Sequence, residues 1–348
     1  VSHVIQSRSS TRPPARSSGL RGAASLIAGL LLTLLASAVW AQAPTAKPLP
    51  QRIADDFIAL FGSHPGYRIN HAKGLIVTGT FVPSASGASL TRAPHVKAAS
   101  TPVIVRFSDA TGLPDIPDQN PNTQPLGIAV RFTLPGNSYT DIVANSHNGF
   151  VVGTGEDFAE FLEAVAATKP TSPHPSPIEK FLGGHPRSLK FVQDPKPMPV
   201  GFGNDSYYGN NALVFVNAAG VKQYGRYQIL PVDGNKFLDS AATARTSPNF
   251  LFDELPTHLA KRPIKFRLLV QLANPGDVTS DGSIVWPADR KTVELGVITL
   301  TTVALDNANL QKTLAFNPIY LSDGIQLGDD PLITLRSAVY ALSVARRR

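Results

Sequence analysis

The chain has 348 residues, a formal net charge of +7, 16% charged residues and no cysteine. That is enough chain for a sizeable core, and too few charges for disorder throughout. Without thiols, disulfides, thiolate metal ligands, iron–sulfur clusters, Cys-attached haem and thiol nucleophiles are all excluded.

Residues 1–41 read as a secretory signal peptide. Arg8, Arg12, Arg16 and Arg21 form a basic region with no acidic residue. "LIAGLLLTLLASAV" follows, and Ala41 closes a cleavage site after Val39-Trp40. The apolar run is short for a span of about 20 residues, so no stable membrane anchor is expected. No twin-arginine pair occurs in residues 1–41, so export is expected unfolded, with any cofactor added outside. The expected location is periplasmic or secreted. Without the four leader arginines the net charge falls from +7 to +3. No basic stripe with interleaved aromatics remains, and nucleic-acid binding is not expected.

Residues 42–51, "QAPTAKPLPQ", read as a flexible lead-in, and 52–348 as a single domain. The spacing of Ile53, Phe57 and Leu60 predicts a helix over 52–61. Strands are predicted at 74–82, 102–108 and 127–134, with a long polar turn region at 109–125. Residues 140–146 continue the sheet after a "PGN" turn. A helix is predicted over 156–168. Glu156 and Asp157 sit in its first turn, where the dipole favours them, and Phe158, Phe161, Leu162 and Val165 make its apolar face. The Pro-rich stretch 169–200 carries short helical pieces. Strands at 212–217 and 221–230 form a hairpin through "AAG", and long strands follow at 263–273 and 291–305. A helix over 331–345 closes the chain, with Leu332, Leu335, Val339 and Leu342 on one face. Segregated strands and helices predict an α+β fold with a mainly antiparallel sheet or barrel.

The chemistry is read first from what is missing. None of the eight histidines stands in HExxH or HxH spacing, and there is no GxSxG elbow or phosphate-cradling glycine loop. "RINHAKG", Arg68 to Gly74, places a histidine among cations at the doorstep of a strand. A structural histidine needs no such company; one that moves protons does. Arg336 and Tyr340 are four apart and share a helix face. A guanidinium beside a phenol favours the phenolate, a hard ligand for ferric iron. The plain alternative is a core tyrosine with a surface arginine. Arg68, Arg106 and Arg131 lie beside or on strands, where a buried guanidinium needs an anion. That anion is either a structural salt-bridge partner or a bound carboxylate or propionate.

"RINHAKG", "VRFSDATG", "DIVANSHNGF" and "RSAVY" resemble, in this order, the landmarks of the haem catalase superfamily, and most of all its small catalase-related peroxidases. The resemblance covers roughly residues 50–345. It implies an antiparallel β-barrel core of the catalase type with surrounding helices, and a haem b cofactor. His71 resembles the distal histidine and Ser108 the serine that holds it. Tyr340 resembles the tyrosinate iron ligand, the type catalases use, and Arg336 the arginine that keeps it deprotonated. Arg68 and Arg106, with Arg347 less securely, resemble the propionate-binding arginines. Phe158 resembles the phenylalanine that stacks on the haem. Val105 or Phe107 is a further pocket candidate. An ungapped reading puts Ser146 where full catalases carry a distal asparagine, with Asn145 or Asn148 as substitutes only if the loop shifts. That loss favours a peroxidase cycle over dismutation. The expected function is an exported haem peroxidase that reduces hydrogen peroxide or small organic peroxides, with an unidentified small organic electron donor. The alternatives are a true catalase, a fatty-acid hydroperoxide-converting enzyme of the same fold, and a non-catalytic β-barrel that holds haem or an apolar ligand. An oligomer is left open.

Overall fold

In chain order the elements are α1 (Leu49–Phe61), β1 (Gly74–Pro83), α2 (Gly87–Leu90), α3 (Pro94–Lys97), β2 (Thr101–Ser108), β3 (Gly127–Leu134), β4 (Ser138–Asn145) and α4 (Gly155–Ala167). Next come α5 (Pro177–Gly184), α6 (Pro186–Gln193), β5 (Tyr207–Tyr208), β6 (Leu213–Val216), β7 (Lys222–Pro231), α7 (Ser240–Thr243) and α8 (Phe250–Leu259). The last are β8 (Ile264–Leu272), β9 (Thr292–Val303), α9 (Asn307–Thr313), β10 (Ile325–Leu327) and α10 (Pro331–Arg347). They come from a computed structural model, which describes residues 46–347. The predicted signal peptide lies outside the described residues, as do the first residues of the predicted lead-in.

The sheet runs in the order β10-β6-β7-β5-β4-β3-β2-β1-β9-β8, with β7 also paired to β8. That pairing, from Gly225↔Leu272 to Pro231↔Phe266, joins the two ends of the row. The result is a closed eight-stranded antiparallel barrel with β6 and β10 as an extension, as the expected catalase-type core requires. Closure leaves the barrel strands no open edge, as it must where many β-branched strands lie side by side.

Strand alternation divides the residues between two environments. On β2, Val103, Val105 and Phe107 join the main core, which also holds Phe81, Phe132, Phe202 and Phe266. Val105 and Phe107 are therefore core residues. Arg106 and Ser108 point the other way. Over that outer face lie α1, α4 and α10, which share a second, smaller core of Ile53, Ala54, Phe57, Ile69, Ala159, Leu162 and Val339. Helix α1 starts at Leu49, inside the predicted lead-in, because Pro50 occupies its first turn, where a missing N–H breaks no bond. On α4 the buried face is Gly155, Ala159 and Leu162, with Phe158 and Phe161 packed alongside. Val165, predicted on that face, is exposed. Among the described residues no helix is long and apolar enough to cross a membrane.

His95, on the short α3, shows what the barrel core does to charge. It stacks on Phe132 at 4.6 Å and meets Phe81 edge-on at 5.9 Å. Neither ring nitrogen has a hydrogen-bond partner. Burial pushes its pKa down to about 4. Between that value and the ordinary 6.5 the unfolded chain binds a proton that the folded one refuses, so stability falls as pH drops through this window. Replacing His95 with leucine is expected to remove up to about 3 kcal/mol of that acid sensitivity. Urea unfolding at a series of pH values checks it.

Candidate active site

A cavity of about 1410 Å³, counted out to its open mouth, lies between the outer face of β2–β4 and helices α1, α4 and α10. Arg68, His71, Arg106, Ser108, Phe158, Arg336, Tyr340 and Arg347 all line it. The fold thus brings every site residue predicted from the sequence to one place.

His71 sits just before β1 with φ +55, a left-handed conformation that side chains rarely adopt. Arg106 holds this turn, donating from Nη2 to the carbonyls of His71 at 2.8 Å and Ala72 at 3.2 Å. The imidazole Nδ1 lies 3.1 Å from Ser108 Oγ. Burial first, then the Arg106 charge, pushes the His71 pKa down to about 4, against a backbone hydrogen bond with Asp109. The ring is therefore neutral at pH 7 and available as a base.

Gly127 makes room for this arrangement. A Cβ there would stand 2.6 Å from Ser108 Oγ and 2.9 Å from His71 Nδ1. Gly127→Ala is expected to break the His71–Ser108 contact with little change to the β3 backbone. Nuclear magnetic resonance of the His71 ring, with ¹⁵N labelling, would report an altered tautomer or pKa.

At one rim three guanidiniums converge on the end of α9. Arg68 donates to Gln311 through its carbonyl and Oε1, both at 3.1 Å, and to the Leu314 carbonyl at 2.9 Å. Arg106 Nε donates to Gln311 Oε1 at 2.8 Å. Arg347, from α10, donates to the carbonyls of Gln311 and Leu314. Among the described residues, each hydrogen bond of Arg68 and Arg106 ends on a neutral acceptor. Burial and mutual repulsion push Arg68 well down, and push Arg106 to about 9 with Asp109 in partial opposition. Such a cluster favours an incoming anion with more than one charge.

On α10, Arg336 Nη2 donates to the Tyr340 phenol oxygen at 3.1 Å, which confirms the shared helix face. Its Nη1 donates to Asn211 Oδ1, and Asn211 in turn donates to Asp330 Oδ2 at 2.7 Å. The arginine is thus held from behind while its other arm reaches the phenol. Phe158 forms a wall of the cavity with Phe150, at 5.3 Å between centroids, and Phe57, at 6.0 Å.

The structure decides two readings that the sequence left open. Asn145 lines the cavity, and Ser146 and Asn148 are not among its lining residues. Asn145 is the last residue of β4, opposite Gly127, so the register delivers it beside His71. Ser146 turns away; its Oγ accepts the Leu126 N–H at 3.0 Å. Of the three candidates the sequence offered, Asn145 is the one that lines the cavity, so an asparagine is present there after all. Arg131 lies outside the cavity in a salt bridge to Asp141 at 2.6 Å, which is the structural of its two readings. Gln311 and Asn211 were missed. They lie far from their arginines in sequence, and neither belongs to a quoted motif.

Comparisons with known proteins agree with this picture. The family model described as "Catalase" matches residues 65–348. A catalase-related peroxidase of Synechococcus elongatus is 32% identical over 302 residues, which cover 86% of this chain and 88% of that one. One from Mycolicibacterium paratuberculosis is 32% identical, covering 86% of this chain and 94% of its own. A catalase isozyme 2 of Hordeum vulgare is 28% identical, but the match spans only 58% of its length. Among solved structures, a bacterial catalase superposes with a TM-score of 0.71 at 20% identity, covering 82% of this chain and 58% of that one. The chain therefore spans less than two thirds of the full catalases it matches.

Proposed function

Because the chain belongs to the catalase family and is an oxidoreductase acting on peroxide, we propose that it is an exported haem b peroxidase, reducing hydrogen peroxide or small organic peroxides with electrons from a small organic donor. The observation that carries this is one cavity holding a neutral, half-buried histidine, a phenol under an arginine, and a cluster of guanidiniums. That donor set fits haem. Tyr340 offers an oxygen ligand. Arg68, Arg106 and Arg347 would take two propionates, and Phe158 would pack against the ring. Haem bound there supplies the iron at which peroxide is reduced and stores the two oxidising equivalents.

The chain's own residues move the proton. His71 Nε2 takes it from one peroxide oxygen and returns it to the other, so that water leaves in place of hydroxide. Ser108 holds Nδ1, which leaves Nε2 for the substrate. The Arg336 guanidinium stabilises negative charge on the Tyr340 oxygen. Asn145 stands where its amide can orient a peroxide. Export is supported by the composition of residues 1–41.

Asn145 also favours a second reading, since its presence in the cavity removes the sequence-based objection to dismutation. Absorption spectra of the protein supplied with haem, before and after one equivalent of peroxide, test the first reading. A Soret band of ferric tyrosinate type that changes with peroxide, and donor oxidation with little oxygen release, are expected. Oxygen release that accounts for the peroxide consumed would favour the catalase reading. No Soret band would overturn both.

A further inference from the structure

Arg131 is outside the cavity, yet it touches the cavity wall. Its guanidinium donates to the Ala315 carbonyl at 2.6 Å and lies 5.3 Å from the Phe316 ring centroid, and both residues line the cavity. On its other side it stacks on Tyr139 at 3.8 Å, and Tyr139 meets Tyr320 edge-on at 5.2 Å. Phe316 is 8% exposed, whereas Tyr139 and Tyr320 are 39% and 38% exposed. A file of planar groups thus runs from the cavity to solvent. It is firmly held. Asp141 accepts two bonds from Arg131, at 2.8 and 2.6 Å, and one from the Asn317 N–H at 2.9 Å. The Tyr320 carbonyl accepts from the Asp141 N–H and from Thr140 Oγ1, both at 2.9 Å. Salt bridge and strand together fix the two rings.

We propose that Tyr139 and Tyr320 form a surface oxidation site, at which phenols or aromatic amines too large for the cavity give up electrons one at a time. This rests on the haem reading above. A tyrosine passes one electron inward to the peroxide-oxidised centre and releases its phenolic proton to water, which leaves a neutral tyrosyl radical. The donor then returns one electron and one proton and restores the phenol. Two such turns consume the two oxidising equivalents of one peroxide, and the two protons released to water balance the two taken up as its second oxygen leaves as water. Exposure is what suits this pair to the task. Tyr207 and Tyr227 are buried, away from the solvent that would take the proton.

The test uses the haem-loaded full chain and the variants Tyr139→Phe, Tyr320→Phe and the double variant. Phenylalanine keeps the ring packing but cannot form the neutral phenoxyl radical. Each protein is mixed with one equivalent of hydrogen peroxide and a nitroso spin trap, and the adduct is located by peptide mass spectrometry. Oxidation of a small phenol is compared in parallel with oxidation of the same phenol grafted onto dextran. The wild type is expected to carry the adduct on Tyr139 or Tyr320. The double variant is expected to lose about tenfold or more of its rate with the grafted phenol, and to keep its rate with the small one within about twofold. An unchanged rate with the grafted phenol overturns the proposal. So does a wild type that takes up haem and consumes peroxide but carries no adduct on this pair; the haem reading then stands. A wild type that takes up no haem overturns both. The Soret band of each variant controls for folding.

Discussion

Replacing Tyr340 with phenylalanine is expected to leave a folded protein that no longer retains haem. The substitution removes one oxygen and keeps the ring. Leu332, Ile333 and Val339 still seat α10, and Arg336 keeps its bond to Asn211, so no cation is stranded. What disappears is the phenol oxygen in the cavity. The loss of affinity should exceed the roughly 10–100-fold that removing an outer partner of a metal ligand typically costs. Arg336→Leu, which removes such a partner, should fall within that range. Haem titration followed at the Soret band measures both, with circular dichroism to confirm the fold. Wild-type affinity in Tyr340→Phe would remove Tyr340 from its assigned role.

His71→Ala should do the opposite, keeping haem while losing the reaction with peroxide. The guanidinium cluster and Tyr340 remain, so binding is preserved. The proton carrier does not, and positioned acid–base groups contribute roughly 10²–10⁴-fold. Stopped-flow mixing with peroxide reads the rate directly. The wild-type pH profile carries the same assignment. The active form is the neutral ring, and its pKa is pushed down to about 4. The rate should therefore be flat across neutral pH and fall as pH drops through about 4, because protonation removes the base. An unperturbed histidine would begin to lose activity near 6.5. A rate in His71→Ala equal to that of wild type would mean that another group moves the proton.

Much of this site could be read from the residues because its parts are local. The helical repeat sets Arg336 and Tyr340 on one face and the strand repeat does the same for Arg106 and Ser108, while their roles came from the resemblance to catalases. The long β-branched strands pointed to an antiparallel sheet or barrel, the resemblance to catalases chose the barrel, and β3 was placed to the residue at both ends. What could not be read depends on register or on distant partners. Asn145 and Ser146 are neighbours, and only the pairing of Asn145 with Gly127 decides which of them enters the cavity. Gln311 meets Arg68 across 243 residues, from a seven-residue helix too short to show periodicity. Val165 kept the helical spacing of its face, but the buried face is made by Gly155, Ala159 and Leu162, and Val165 is exposed at its edge.

The cavity lies along the seam between two hydrophobic cores that share no residue. The histidine and its serine belong to the barrel side. The tyrosine and its arginine belong to the helical side. A ligand spanning the seam therefore rivets two cooperative units together, and it stabilises the layer of α1, α4 and α10 in proportion to the logarithm of its concentration over its Kd. Without that rivet the layer, whose core is much the smaller of the two, is expected to open at a lower free energy than the barrel, and its amides should exchange ahead of the barrel's. Haem content would then be reported by how readily proteases cut these three helices, at a distance from any iron chemistry.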